Sequence, residues 1–139
     1  MCKHLWKDED DKPISFKTWL AQKKEHWRKK RLYKKQLRQC VKRLKKAAST
    51  YGPWDEGYLF SFMEIIFEHW VQYYSLGYNV WAQEDCEWNP YCKNDPTRKE
   101  IAEELLYRLR DMQDRFTNID LKTKAFCDYF AKYIHYMWD

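Results

Sequence analysis

Three features of this sequence predict an all-α fold, a small bundle of about four helices with a long basic N-terminal helix. Only three glycines and four prolines occur in 139 residues, too few turns for an architecture of many short strands. Apolar residues recur at three- and four-residue spacing in four stretches. Hydrophobic residues make up 45% of the chain and aromatics 19%, enough to bury a core. The expected organisation is one helical domain over 1–139: a flexible arm over 1–14, a basic helix over 15–50 and an acidic, aromatic-rich bundle over 51–139.

The arm carries the acidic run Asp8-Glu9-Asp10-Asp11 and then Pro13. Ser15 follows as a helix N-cap, with Ile14 and Trp19 at the positions of a hydrophobic staple. The first helix then runs from about Phe16 to about Ala48 without Pro or Gly. Its apolar residues form two groups, Phe16, Trp19, Leu20 and Trp27, then Leu37, Cys40, Val41, Leu44 and Ala48. Between them the segment from Arg28 to Lys35 reads as basic all round, so that middle is expected to be exposed.

Gly52-Pro53 breaks this pattern and Asp55 caps a second helix that Gly77 stops. Leu59, Phe62, Met63, Ile66, Trp70 and Tyr73 form its main stripe, widened by Phe60, Ile65, Phe67, Val71 and Tyr74, so it reads as the core helix. Ser61, Glu64, Glu68, Gln72 and Ser75 form a narrow line expected to face solvent. Residues 77–95 form a long connection, a kind of segment that often carries function. Its Trp81, Trp88 and Tyr91, with Trp54 and Trp138, fit either a partner surface or an aromatic core.

The third helix opens on the capping box Thr97-Arg98-Lys99-Glu100 and carries the stripe Ile101, Leu105, Leu109, Met112 and Phe116. The pairs Glu104/Arg108 and Asp111/Arg115 support its outer face. Asp120 is the expected cap of a fourth helix with Phe126, Phe130, Tyr133, Ile134 and Met137 inward.

Charge is divided along the chain. Up to Thr50 there are 17 Lys/Arg against 5 Asp/Glu, and Tyr51–Asp139 hold the other 9 and 16, so a net charge of +5 hides +12 followed by −7. Such asymmetry points to an anionic partner for the basic end, and it also allows the two halves to attract each other. The candidate binding residues are Lys23, Lys24, Trp27, Arg28, Lys29, Lys30, Arg31, Tyr33, Lys34, Lys35 and Arg38. Their cations neutralise phosphates or carboxylates, while Trp27 and Tyr33 offer rings on which bases stack. Charge on every side suits a groove or an acidic protein cleft.

Catalysis finds no motif: there is no P-loop, G-x-S-x-G elbow, H-E-x-x-H or dinucleotide fingerprint. The chain is therefore read as not an enzyme, with no catalytic residue and no cofactor. Cys86 and Cys92 have five residues between them, outside the usual zinc-ligand spacing, and Glu64/Glu68 lack the Glu-x-x-His partner of carboxylate metal sites, so no metal is expected. Cys40 has basic neighbours that would lower a thiol pKa, yet lies on the apolar stripe, where it reads as a core residue. Five scattered cysteines fit reduced thiols. No apolar run long enough to cross a membrane occurs, and the first residues lack a secretory signal, so the protein is expected to stay in the cell that makes it without a membrane partner.

Tyr51-Gly52-Pro53-Trp54-Asp55 with Tyr58-Leu59, then Glu104-Leu105-Leu106-Tyr107-Arg108, and the closing Tyr133-Ile134-His135-Tyr136-Met137-Trp138-Asp139 form a recognisable pattern. Over about residues 51–139 the chain resembles a group of small helical proteins encoded by tailed bacteriophages. The basic front helix and the segment around Cys86 to Tyr91 are not part of that likeness. The resemblance implies a phage protein made in the bacterial host cytoplasm, and brings with it no activity or catalytic residue. The expected function is a non-enzymatic binding protein that inhibits or redirects a host factor through its basic helix, a class that includes anti-defence proteins. Its partner would be a host protein or a host protein–nucleic acid complex. The alternatives are direct DNA or RNA binding in phage genome metabolism and a structural role in the virion.

Overall fold

Helices form where the apolar periodicity places them: α1 over Phe16–Thr50, α2 over Glu56–Tyr73, α3 over Arg98–Gln113 and α4 over Ile119–Tyr133. The fold is all-α in the computed structural model, which describes residues 6–7, 12–52, 55–78, 96–113 and 118–137. The acidic run of the arm, the aromatics and cysteines of the long connection, and Trp54, Arg115, Phe116 and Trp138 lie outside the described residues. The chain divides into two units, Met1–Lys35 and Gln36–Asp139, with the boundary inside α1 and not at its end.

In the first unit, two short strands pair antiparallel where the sequence predicts only an arm. They are β1 (Trp6–Lys7) and β2 (Pro13–Ile14), with Trp6 opposite Ile14 and Lys7 opposite Pro13. Proline has no N–H to give a ladder, which keeps such a pairing short. Ser15 then caps α1: its carbonyl accepts from the Trp19 N–H at 3.0 Å and its Oγ from the Thr18 N–H at 3.2 Å.

In the second unit, α1 ends as Ser49 and Thr50 each donate a hydroxyl to the Lys46 carbonyl, at 2.9 and 2.8 Å. Asp55 caps α2 by accepting from the Gly57 N–H at 2.9 Å. A wide π-helical turn, Tyr74–Tyr78, closes α2, with Gly77 at φ 100, a conformation that side-chain-bearing residues avoid. The capping box of α3 closes in both directions: the Thr97 N–H donates to Glu100 Oε2 at 2.7 Å, and the Glu100 N–H to Thr97 Oγ1 at 3.3 Å. At α4 the expected cap is corrected by two residues. Asn118, not Asp120, occupies the cap, at φ 49, a left-handed conformation that asparagine tolerates. Asp120 lies in the first turn, where its charge meets the positive end of the helix dipole. A 3₁₀ turn over Ile134–Met137 finishes the described chain.

The core of this unit lies on α3 more than on α2. Ile101, Ala102, Leu105 and Leu109 of α3 are completely buried, packed with Phe67, Tyr74, Met112, Phe126 and Met137. Ala102 lets neighbouring backbones approach, and the strict i, i+4, i+8 repeat keeps the stripe narrow enough to be covered entirely. Helix α2 has too wide an apolar surface for one neighbour. Phe67 faces the main core, while Ile65 joins a second cluster with Cys40 and Ala47 of α1. Leu59, expected inside, is exposed. On α1 the inward line is Cys40, Leu44 and Ala47; Leu37, Val41 and Ala48 are exposed.

Glu64 and Glu68 are corrected from a solvent line to an ion-pair clamp. The Arg110 guanidinium of α3 donates through Nε to Glu64 Oε1 at 2.8 Å and through Nη2 to Glu68 Oε1 at 2.6 Å, while Arg43 Nη1 of α1 pairs with Glu68 Oε2. These carboxylates hold the Arg110 guanidinium above its ordinary pKa, Glu64 by its hydrogen bond most of all. Both are only 29% and 22% exposed, so the fork geometry holds three helices together along one line. Arg108 does the same between α3 and α4. It donates to Glu104 Oε1 at 2.6 Å and to the Ala125 carbonyl at 2.9 Å, and covers the Tyr129 ring at 4.5 Å. Burial pushes the Tyr129 hydroxyl up to about 12. Asp111 meets Lys122 of α4 at 3.3 Å, while its expected partner Arg115 lies outside the described residues.

Four substitutions test this packing. Leu105→Ala costs about 2–5 kcal/mol in urea unfolding, because it empties a site with no solvent access. Tyr107→Ala, two residues away and 66% exposed, changes stability by less than about 0.5 kcal/mol. Arg110→Ala costs about 1–2 kcal/mol by leaving two partly buried carboxylates without their fork, and Arg110→Lys restores only part of this, since an ammonium cannot serve both in one plane.

Candidate functional site

The eleven residues expected to bind a partner all lie on α1, ten in the first unit and Arg38 in the second. Their arrangement differs from the all-round charge expected. At about 100° per residue, Lys30, Lys23, Lys34, Trp27, Arg31, Lys24, Lys35 and Arg28 follow one another around a single arc of about 160°. All eight are exposed. Lys29 and Tyr33 fall on the other side of the helix, and both are partly buried. Tyr33 is therefore not beside Trp27. In the second unit, Arg38 shares a face of α1 with Lys42 and Lys45, opposite the buried Cys40 and Ala47.

Helix α1 carries fourteen Lys/Arg and one acidic residue, Glu25. Glu25 lies off the arc and takes one cation from it: Arg28 donates to it through Nε at 2.7 Å and Nη2 at 2.6 Å. The hydrogen bond to Arg28 holds the Glu25 carboxyl below its ordinary pKa. Lys24, Lys30, Arg31, Lys34, Lys35 and Arg38 make no ion pair among the described residues. Among the described residues no acid neutralises them, and their charge is screened by water and salt.

Trp27 lies near the middle of this arc, 62% exposed. Lys24, Trp27, Arg28, Arg31 and Leu32 line a shallow depression of about 390 Å³, with an indole wall and three cations at its edge. Two residues that charge alone did not single out share the arc. Phe16 is 51% and Leu20 37% exposed, and Phe16 stacks on Trp19 at 6.1 Å. Applying the helical period to Lys and Arg, and not only to apolar residues, is the signal that finds this one-sided face in the sequence.

A second concavity, of about 290 Å³, lies within the second unit between α1 and α2, lined by Gln39, Cys40, Lys42, Arg43, Ile65, His69 and Gln72. It contains a cysteine and a histidine, the two side chains of thiol nucleophile chemistry, but burial opposes charging either one. It pushes the Cys40 thiol up and the His69 imidazole down from their ordinary values. Arg43, whose charge favours the thiolate, is engaged by Glu68. The arrangement stabilises a neutral thiol beside a neutral imidazole, the core role read for Cys40 from its place on the stripe. Among the described residues no three His, Cys, Asp or Glu side chains are grouped to hold a metal ion, and no helix is long and apolar enough to cross a membrane. Comparison of the chain with protein-family models, curated proteins and solved structures finds no match.

The partly buried imidazole gives a pH test. The folded pKa of His69 lies below its unfolded value of about 6.5, so below that value the unfolded chain binds the proton more readily. Its contribution to stability is complete above the unfolded pKa and is lost as pH falls towards the folded one. Urea unfolding of the wild type weakens between about pH 7 and 5, and His69→Gln has a shallower slope over that window.

Proposed function

We propose that this protein is a non-enzymatic binding protein that inhibits or redirects a host factor by docking the basic face of α1 on an anionic surface. The single observation that carries this reading is the arc of cations around exposed Trp27, of which Lys24, Lys30, Arg31, Lys34 and Lys35 make no ion pair among the described residues. Evenly mixed charge would make such a helix merely soluble; a one-sided array of Lys and Arg attracts an extended anion and steers it to one orientation. The clamps of the second unit support the assignment by contrast, since Arg43, Arg108 and Arg110 are engaged in holding helices together.

The resemblance of residues 51–139 to phage-encoded proteins supports a phage origin and action in the bacterial host cytoplasm. The partner is then a host protein or a host protein–nucleic acid complex, and defence machinery that handles nucleic acid is the natural target class.

The test is recovery of host components from infected cells on the tagged full-length chain, with and without nuclease. The triple variant Arg31→Glu/Lys34→Glu/Lys35→Glu alters exposed side chains that make no ion pair among the described residues, so its stability stays within about 0.5 kcal/mol per site of the wild type. It is expected to retain at least about tenfold less of the specific component, as charge reversal replaces attraction by repulsion. Equal retention by the variant and the wild type would overturn the reading.

A further inference from the structure

We infer that the anion received by α1 is single-stranded nucleic acid, with an unpaired base stacked on Trp27 and its flanking phosphates on Lys24, Arg31 and Lys34. This rests on the reading of α1 as the docking face and names the chemistry of what docks there.

An indole that is 62% exposed in the middle of a cationic arc leaves a large apolar ring in water. The depression beside it, about 390 Å³ and lined by Lys24, Trp27, Arg28, Arg31 and Leu32, has the size of a small-ligand site and one flat aromatic wall. A planar aromatic ligand covers that wall, and the cations at its edge require the ligand to carry negative charge. A nucleotide within a strand meets both demands, since every base has a π-face and every linkage a phosphate. An intact duplex meets only the second, because its base faces are already stacked on one another. Trp27 also stands on the convex surface of a helix, where it can reach a splayed base.

The distribution of cations agrees. Lys23, Lys24, Trp27, Arg31, Lys34 and Lys35 place at least one exposed basic or aromatic side chain in each successive turn, a rise of about 5.4 Å per turn, so the array follows an extended chain and not a single point charge. Glu25 and its partner Arg28 mark one border of the arc, and the partly buried side with Lys29 and Tyr33 lies beyond. An acidic protein surface would satisfy the cations as well, but its carboxylates give the indole no flat partner, whereas every nucleotide brings a ring together with its charge.

The experiment titrates the full chain into a fluorescein-labelled oligothymidylate of about 20 nucleotides and into a blunt DNA duplex of equal length, at several salt concentrations, by anisotropy. The expected result is tighter binding of the single strand, with log affinity falling against log salt at about −0.7 per phosphate neutralised. Trp27→Ala lowers the single-strand affinity about 5- to 100-fold with the salt slope nearly unchanged, and Trp27→Phe retains most of it, because stacking needs a ring while phosphate binding does not. Unchanged single-strand affinity in Trp27→Ala, equal or tighter binding of the duplex, or no binding of the oligothymidylate at low salt would each overturn the inference. The proposed function survives such a result when a host protein is still retained after nuclease by the wild type and lost by the charge-reversed α1 variant.

Discussion

The seam where α3 meets α2 and α4 is the constraint on which the second unit depends. Ile101, Ala102, Leu105 and Leu109 have no solvent access, so each must be met by a complementary surface, and Phe67, Tyr74, Phe126 and Met137 supply it. With one apolar side of α2 used there, Ile65 on another still needs cover, and Cys40, Leu44 and Ala47 of α1 provide it. The long first helix thus ends in a packed segment even though most of its length is exposed. Small and medium side chains on α1 suit this role, because α2 already contributes bulky rings.

Polar groups reinforce the same geometry. Glu64 and Glu68 are one helical turn apart on α2, so the two nitrogens of the Arg110 fork reach both, and the second oxygen of Glu68 is left to receive Arg43. Arg108 divides its donors between a carboxylate on its own helix and a carbonyl of α4, with Tyr129 beneath its guanidinium. Individually these contacts are modest because they are partly exposed. Their value lies in direction: apolar packing tolerates sliding and rotation of helices, whereas a two-pronged ion pair tolerates little of either.

Arginines and lysines therefore serve two ends in this chain. In the bundle Arg43, Arg110 and Lys122 pair with acids of neighbouring helices, and Arg108 with one on its own. Along α1 in the first unit a single acid is present, and it engages only Arg28. The remaining charge is concentrated on one side and surrounds an exposed tryptophan, a combination that adds little to the stability of a helix in water and is the basis of the binding role proposed for α1.

Much of the fold was legible in the residues themselves. Ser15, Asp55 and the Thr97–Glu100 box act as caps because hydroxyls and carboxylates there reach free backbone N–H groups, a strictly local matter. The stripe Ile101, Leu105, Leu109 and Met112 was likewise readable, since its period is the helix's own. Asn118 was missed because its left-handed backbone is set by the entry of the chain into α4, and the short β1–β2 pairing because it joins residues through an intervening segment. The candidate face was half legible: its residues were identified, but not that eight of them share one arc, which required applying helical geometry to charge. By itself the sequence determined the all-α class, the caps, the α3 stripe and the basic character of α1, all consequences of local spacing and composition. Only the tertiary structure decided that α3 carries the deepest core, that Glu64 and Glu68 clamp helices instead of facing water, and that Leu59 and Trp27 stay exposed, because burial and pairing depend on which distant surfaces meet.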